Sequence, residues 1–157
     1  MAISSHEKPN KGVTDVWLTP LKLIKPLGDF DLDPCGWPDH WTAKSIFYLP
    51  EEDGLKTPWA GCAGRVWLNP PYSQVSIWMD MMIEHNNGVA LVFARTDTRW
   101  FQKSIQYASS AFFPAGRIKF MKGDKSYSGS AGAPSVFLAF GEKPNWGELG
   151  IKGWVAK

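Results

Sequence analysis

The sequence predicts an α/β fold, an open and mostly parallel sheet with helices on both faces. Val89-Ala90-Leu91-Val92-Phe93 is a continuous apolar run of strand length, as a strand covered on both faces requires. Between it and the shorter run Arg65-Val66-Trp67-Leu68 the apolar residues Ile77, Trp78, Met81 and Met82 recur at helical spacing, so strand, helix and strand alternate. Both runs stop at turn-forming residues, and in an open α/β sheet ligands lie beyond such carboxyl ends. A chain of 157 residues fits one domain, and no apolar run approaches the ~18 residues of a membrane span.

Taken in order, residues 1–12 are polar with no hydrophobic period and read as a mobile tail, leaving 13–157 as the domain. Thr19-Pro20 opens a short helix, with Thr19 as N-cap and Pro20 at the first helical position, and Pro26 and Gly28 end it. Phe30-Asp31-Leu32-Asp33 reads as a strand running into the turn Pro34-Cys35-Gly36, after which Trp37 to Asp53 shows no clean period and reads mostly as loop. The strand at 65–68 ends at Asn69, because Pro70 and Pro71 cannot continue a sheet ladder. A helix follows from Val75 to His85, terminated by Asn87-Gly88, and a second helix spans about Thr98 to Tyr107. Strands at Ala111 to Phe113 and Val136 to Phe140 flank a glycine-rich stretch, 116–135, that carries Arg117, Lys119, Lys122 and Lys125. So long a loop is either functional or a disordered connector.

Composition narrows the function less than the motifs do. Seventeen Lys and Arg against fifteen Asp and Glu give +2, so any basic surface is local. Cys35 and Cys62 are too few for a disulfide framework, and the first residues lack a secretory signal, which favours a reducing cytoplasm. The histidines and cysteines have no zinc spacing, and no metal is expected. Nine Trp and nine Phe supply core, or faces on which bases stack.

Asn69-Pro70-Pro71-Tyr72 carries the most chemical information. Two prolines fix φ twice and remove two donors, so the segment leaves its strand in a rigid turn that holds an amide acceptor, a carbonyl and an aromatic face together. Such groups suit a planar substrate bearing an NH₂ group. Asp31 and Asp33 read as ligand-binding carboxylates or as strand-end caps, and Glu51, Glu52 and Asp53 as hydroxyl or amine acceptors or as a solvated acidic turn. After the strand at 89–93, Arg95 suits a phosphate, and Asp97 either fixes Arg95 or joins Thr98 in capping the next helix.

Asn-Pro-Pro-Tyr at a strand end resembles the catalytic motif of S-adenosylmethionine-dependent amino-methyltransferases. Thr19-Pro20, Phe30 to Cys35, Asp53-Gly54-Leu55 with Trp59, Trp67 to Ser73, Ala94 to Thr98 with Trp100-Phe101, and Gly116 to Phe120 follow in order. Together they are similar to the compact phage-type DNA N6-adenine methyltransferases over about residues 15 to 140. The resemblance implies a Rossmann-like methyltransferase fold, S-adenosylmethionine as cofactor and DNA as partner, in a host cytoplasm if phage-encoded. It implies Asn69, Pro70, Pro71 and Tyr72 as the catalytic turn. Trp17, Thr19, Pro20, Asp31, Asp33, Pro34, Cys35, Gly36 and Asp53, with Asn69, would line the cofactor. Tyr72 would stack on the flipped adenine, while Arg95, Arg117, Lys119, Lys122 and Lys125 would meet DNA. The turn after Asp33 departs from glycine-rich nucleotide turns, having only Gly36 before bulky Trp37 and Pro38. An RNA adenine or a protein glutamine amide would suit the same turn, and a non-catalytic nucleic-acid-binding module is the reading from a different class. Target sequence and oligomeric state stay open.

Overall fold

The computed structural model describes residues 17–48, 51–59 and 64–157, so the expected tail at 1–12 and Cys62 lie outside the described residues. β1 (Trp17–Leu18) leads into α1 (Leu21–Ile24), followed by β2 (Leu32–Asp33), β3 (Ser45–Ile46) and β4 (Val66–Leu68). Then come α2 (Val75–His85), β5 (Gly88–Phe93), α3 (Arg99–Tyr107), β6 (Ser110–Pro114), β7 (Lys119–Lys122), β8 (Tyr127–Ser130), β9 (Ser135–Phe140) and β10 (Gly153–Ala156).

Seven strands form one sheet in the order β10-β6-β9-β5-β4-β2-β3. The neighbours β3, β2, β4 and β5 pair in parallel, whereas β9 pairs antiparallel with both β5 and β6, and β10 runs antiparallel to β6. The parallel half is the one expected; the sheet as a whole is mixed, because β9 enters from the β7–β8 hairpin instead of by a helical crossover. Helices cover both faces. Val75, Trp78, Met79 and Met82 of α2 and Phe101 of α3 pack on Leu68, Ala90, Val92 and Leu138, while α1 and a 3₁₀ turn at Trp146–Leu149 pack on Trp67, Leu91, Phe112 and Phe137. Every residue of β5 and β9 is buried, which is why both read as unbroken apolar runs.

Several expectations change. Thr19 does not cap α1: Pro20 holds the cap position without a side-chain bond, and Thr19 is fully buried with its hydroxyl turned to Asn69. α1 continues as a 3₁₀ turn, Lys25–Leu27, that admits Pro26 near its start, where a missing N–H costs little, and it ends at Gly28 with φ of 87°. Asn86, left-handed at φ 51°, ends α2 and donates to the Met82 carbonyl, so Gly88 is free to begin β5. Thr98 caps α3, accepting from the Phe101 N–H. The stretch expected to be loop after Trp37 contains β3, held parallel to β2.

The largest change concerns 116–135. Instead of a free loop it folds into the β7–β8 hairpin, and β7 pairs with β1, setting Trp17 against Lys122 and Leu18 against Met121. Asp124 closes the turn by accepting from the N–H and hydroxyl of Ser126 at 2.9 and 2.6 Å. Ile118 and Phe120 are buried while Lys119 between them is exposed, the alternation of a half-buried strand that glycine-based reading hides.

Candidate active site

Four parallel strands end side by side, and the turns leaving them build one cavity of about 710 Å³. After β2, Asp33 is 2% exposed. One of its oxygens accepts from the Cys35 N–H at 3.2 Å and the other from the Thr42 hydroxyl at 2.5 Å. Gly36 follows where a Cβ would overlap the Ile46 side chain and press on the Asp33 carboxylate, so the turn closes tightly under β3. The turn at Asp53 meets this one directly. A Cβ on Gly54 would overlap the Pro34 carbonyl, and the buried Trp59 indole donates to the Gly54 carbonyl at 3.0 Å.

Beyond β4, Asn69 is tied at two points. Its carbonyl accepts from the Cys35 thiol at 3.4 Å, and its side-chain nitrogen donates to the Thr19 hydroxyl at 3.4 Å, which leaves Oδ1 as the acceptor not used by Thr19. Tyr72 stacks on Phe93 at the end of β5, ring centroids 4.3 Å apart and 12° from parallel, and its hydroxyl accepts from the Phe93 N–H. The aromatic ring is therefore held from two directions.

Burial sets the charge states. It pushes Asp33 up to about 6 against the two hydrogen bonds that favour its charged form. Burial, and then the Asp33 charge, hold the Cys35 thiol well above its usual range, so Cys35 serves as a donor and not as a thiolate nucleophile. His40, 3.9 Å from Asp33, is pushed down to about 4 by burial and is neutral.

Of the residues singled out in the sequence, Trp17, Asp33, Pro34, Cys35, Gly36, Asp53, Asn69, Pro70, Pro71 and Tyr72 line the cavity together. Thr19 stands behind Asn69. Pro20 is not in the lining, and neither is Asp31, which accepts from the Arg65 N–H at 2.8 Å and pairs with Lys44 at 3.5 Å to join the starts of β2 and β4. Its expected place at the cofactor gives way to the strand-end alternative, since Asp31 lies at the entering end of β2 and the cavity opens at the carboxyl end, where Asp33 stands. Both Glu52 and Asp53 reach the cavity; Asp53 also accepts from the Leu55 N–H at 3.0 Å. Arg95 sits at the rim with its guanidinium 6.0 Å from the Phe93 ring centre. Arg117, Lys119, Lys122 and Lys125 are exposed on and around the hairpin, outside the lining.

Sequence reasoning missed His40, Thr42, Phe47 and Tyr48, which gather here from the stretch without a period. Its density of aromatic residues, Trp37, Trp41, Phe47 and Tyr48, was the available signal.

The chain is 30% identical over 151 residues to a DNA N-6-adenine-methyltransferase of Escherichia phage T1, an alignment covering 80% of this chain and 63% of that protein. The chain thus spans less than two thirds of that relative's length. No solved structure matches it. The family model for DNA N-6-adenine-methyltransferase (Dam) matches residues 6–151, nearly the whole chain and all of the cavity, and the chain therefore belongs to the Dam family.

Proposed function

We propose that this chain is a methyltransferase that uses S-adenosylmethionine to methylate the exocyclic N6 of adenine in DNA. The observation that carries the reading is the opening of the Asn69-Pro70-Pro71-Tyr72 turn onto the same cavity as the Asp33-Pro34-Cys35-Gly36 turn. The cavity suits the cofactor in size and in chemistry. Its volume is in the usual range for small-molecule sites. Asp33 is a buried carboxylate with no Lys or Arg in ion-pair range among the described residues, an environment that favours a positively charged ligand.

When bound, S-adenosylmethionine supplies an electrophilic methyl group on a sulfonium centre. The protein's part is orientation and electrostatics. The adenine N6 of duplex DNA is paired and stacked, so the base must be flipped out at a cost of a few kcal/mol. Tyr72, braced by Phe93, offers the outer face of its ring to that base. Asn69 Oδ1 and the Pro70 carbonyl accept the two N6 hydrogens. This favours a tetrahedral nitrogen whose lone pair is released from the ring. Thr19 acts through Asn69, keeping Oδ1 and not the amide nitrogen toward the substrate. The exposed cations of the hairpin and Arg95 at the rim are placed to position phosphates.

The test is transfer of tritium from labelled S-adenosylmethionine to DNA, to RNA and to a glutamine-containing protein substrate. Label in N6-methyladenine of DNA is expected. Label only in RNA or in glutamine would replace the substrate and keep the cofactor. Asn69→Ala should lower kcat far more than it weakens cofactor binding; near wild-type turnover in that variant would remove Asn69 from the chemistry.

A further inference from the structure

His40 has no part in the chemistry above, yet its side chain is 5% exposed, it lines the cavity, and neither ring nitrogen has a hydrogen-bond partner among the described residues. An imidazole left unpaired in the interior is costly unless a ligand completes it. Its position is well determined. The His40 N–H donates to the Trp37 carbonyl at 3.1 Å, closing a turn in which Asp39 takes a left-handed φ of 61°. The Trp41 ring meets His40 edge-on at 4.9 Å, and the Trp41 indole is anchored on the Thr19 carbonyl at 2.9 Å.

The surroundings decide the tautomer. Nδ1 faces Asp33 Oδ2 at 3.9 Å. A lone pair there would oppose a carboxylate, so the neutral ring carries its proton on Nδ1 and presents a lone pair at Nε2. Burial keeps the ring neutral against the Thr19 carbonyl, which favours the charged form, with a smaller push in the same direction as burial from the Lys125 cation. Asp33 has hydrogen-bond donors in Thr42 and Cys35 but, among the described residues, no Lys or Arg in ion-pair range. An unpaired lone pair next to an uncompensated buried carboxylate asks for a group that is both positive and rich in N–H bonds.

We infer that His40 Nε2 and Asp33 together seat the α-ammonium group at the methionyl end of S-adenosylmethionine, an assignment that rests on the cofactor reading above. The α-carboxylate does not suit this corner, where it would oppose both the Asp33 charge and the Nε2 lone pair. The sulfonium carries charge without N–H bonds and would leave Nε2 unpaired. Three donors on one ammonium satisfy Nε2 and Asp33 at once.

Calorimetric titration of the wild type and of His40→Leu with three probes tests the assignment. The probes are S-adenosylmethionine, its decarboxylated analogue, which keeps the ammonium, and the desamino analogue of S-adenosylhomocysteine, which lacks it. His40→Leu should weaken the first two by about tenfold or more, the loss of one charge-assisted hydrogen bond, and leave the third unchanged. Equal losses for all three would reduce His40 to a wall of the cavity, and losses for S-adenosylmethionine and the desamino compound that spare the decarboxylated analogue would assign it to the carboxylate; either overturns the inference, as does no loss at all. Should His40→Leu fail to fold, the imidazole nitrogen resonances of the wild type decide. Nε2 should shift with the two ammonium-bearing probes and not with the desamino compound; the same shift with all three, or none, overturns it. A wild type that binds no S-adenosylmethionine overturns the cofactor reading instead, so the two failures are distinguishable.

Discussion

Asp33→Asn exchanges a buried carboxylate for an amide of the same shape. The amide oxygen can still accept from the Cys35 N–H, and the Thr42 hydroxyl can turn to accept from one N–H of the new NH₂ group, so both native contacts survive, while the second amide N–H and the Thr42 O–H are left to new partners. What disappears is the charge. In the fold Asp33 titrates at about 6, against an ordinary carboxylate value of 3.8 in the unfolded chain. A raised carboxylate pKa means that the folded state binds more protons than the unfolded one between those values. The wild type then loses stability as pH rises from about 4 to about 6, and the loss is complete above that window. A gap of about two pH units at about 1.4 kcal/mol each gives about 3 kcal/mol. Urea unfolding of both proteins across about pH 4 to pH 8 should therefore find Asp33→Asn the more stable at neutral pH, with the advantage growing through the window and level beyond it. His40 titrates in both proteins, and its own contribution cancels to first order in the difference. An advantage independent of pH, or a wild type that gains on the variant as pH rises, would refute a buried and uncompensated Asp33. Calorimetry on the same samples should show S-adenosylmethionine binding weakened in the more stable variant, the trade expected of a site that keeps a charge waiting for its ligand.

Gly54→Ala should destabilise by about 2 kcal/mol or more, since its Cβ would overlap the Pro34 carbonyl, and thermal unfolding reads this directly. Tyr72→Phe keeps the stack on Phe93 but gives up the bond from the Phe93 N–H; a stability loss of about 1 kcal/mol and retention of most turnover are expected, whereas Tyr72→Ala should lose both stacking and turnover. Replacing Lys119, Lys122 and Lys125 by glutamine should flatten the salt dependence of DNA binding while leaving S-adenosylmethionine affinity unchanged, and a slope equal to wild type would move the DNA contact elsewhere.

Elements that generate their own pattern were legible in the sequence. β5 and β9 are buried throughout and read as apolar runs, and α2 buries Val75, Trp78, Met79 and Met82 at the helical period. The Asn69 turn was legible because two prolines admit few conformations. What escaped depends on partners distant in the chain. β3 is two residues whose strand character comes from β2, and β7 is held by β1, about a hundred residues earlier. β10, with three of its four residues exposed, has no alternation of apolar and polar residues to announce it and is organised by pairing with β6. Asp31 and Asp33 look alike in sequence, but Asp31 stands where the chain enters β2, beside Arg65 and Lys44, and Asp33 at the carboxyl end, where the cavity opens.

The same reasoning explains why the cavity is walled by turns and loops, with little contribution from the strands themselves. β2 and β3 are two residues each and β4 three, too short to carry a site on their faces. Position is instead set by contacts between turns: Gly36 under Ile46, Gly54 against Pro34, Cys35 on Asn69, Thr19 on Asn69. Each of these contacts joins segments belonging to different strands, so the pairing of the strands is what brings them together. Asn69 and Asp33, the proposed substrate-side acceptor and cofactor-side carboxylate, are linked through a single residue, Cys35, whose backbone N–H donates to Asp33 and whose thiol donates to the Asn69 carbonyl. A short rigid link of this kind fixes the distance between the two halves of the site, which is the requirement that in-line transfer between two bound molecules places on a protein.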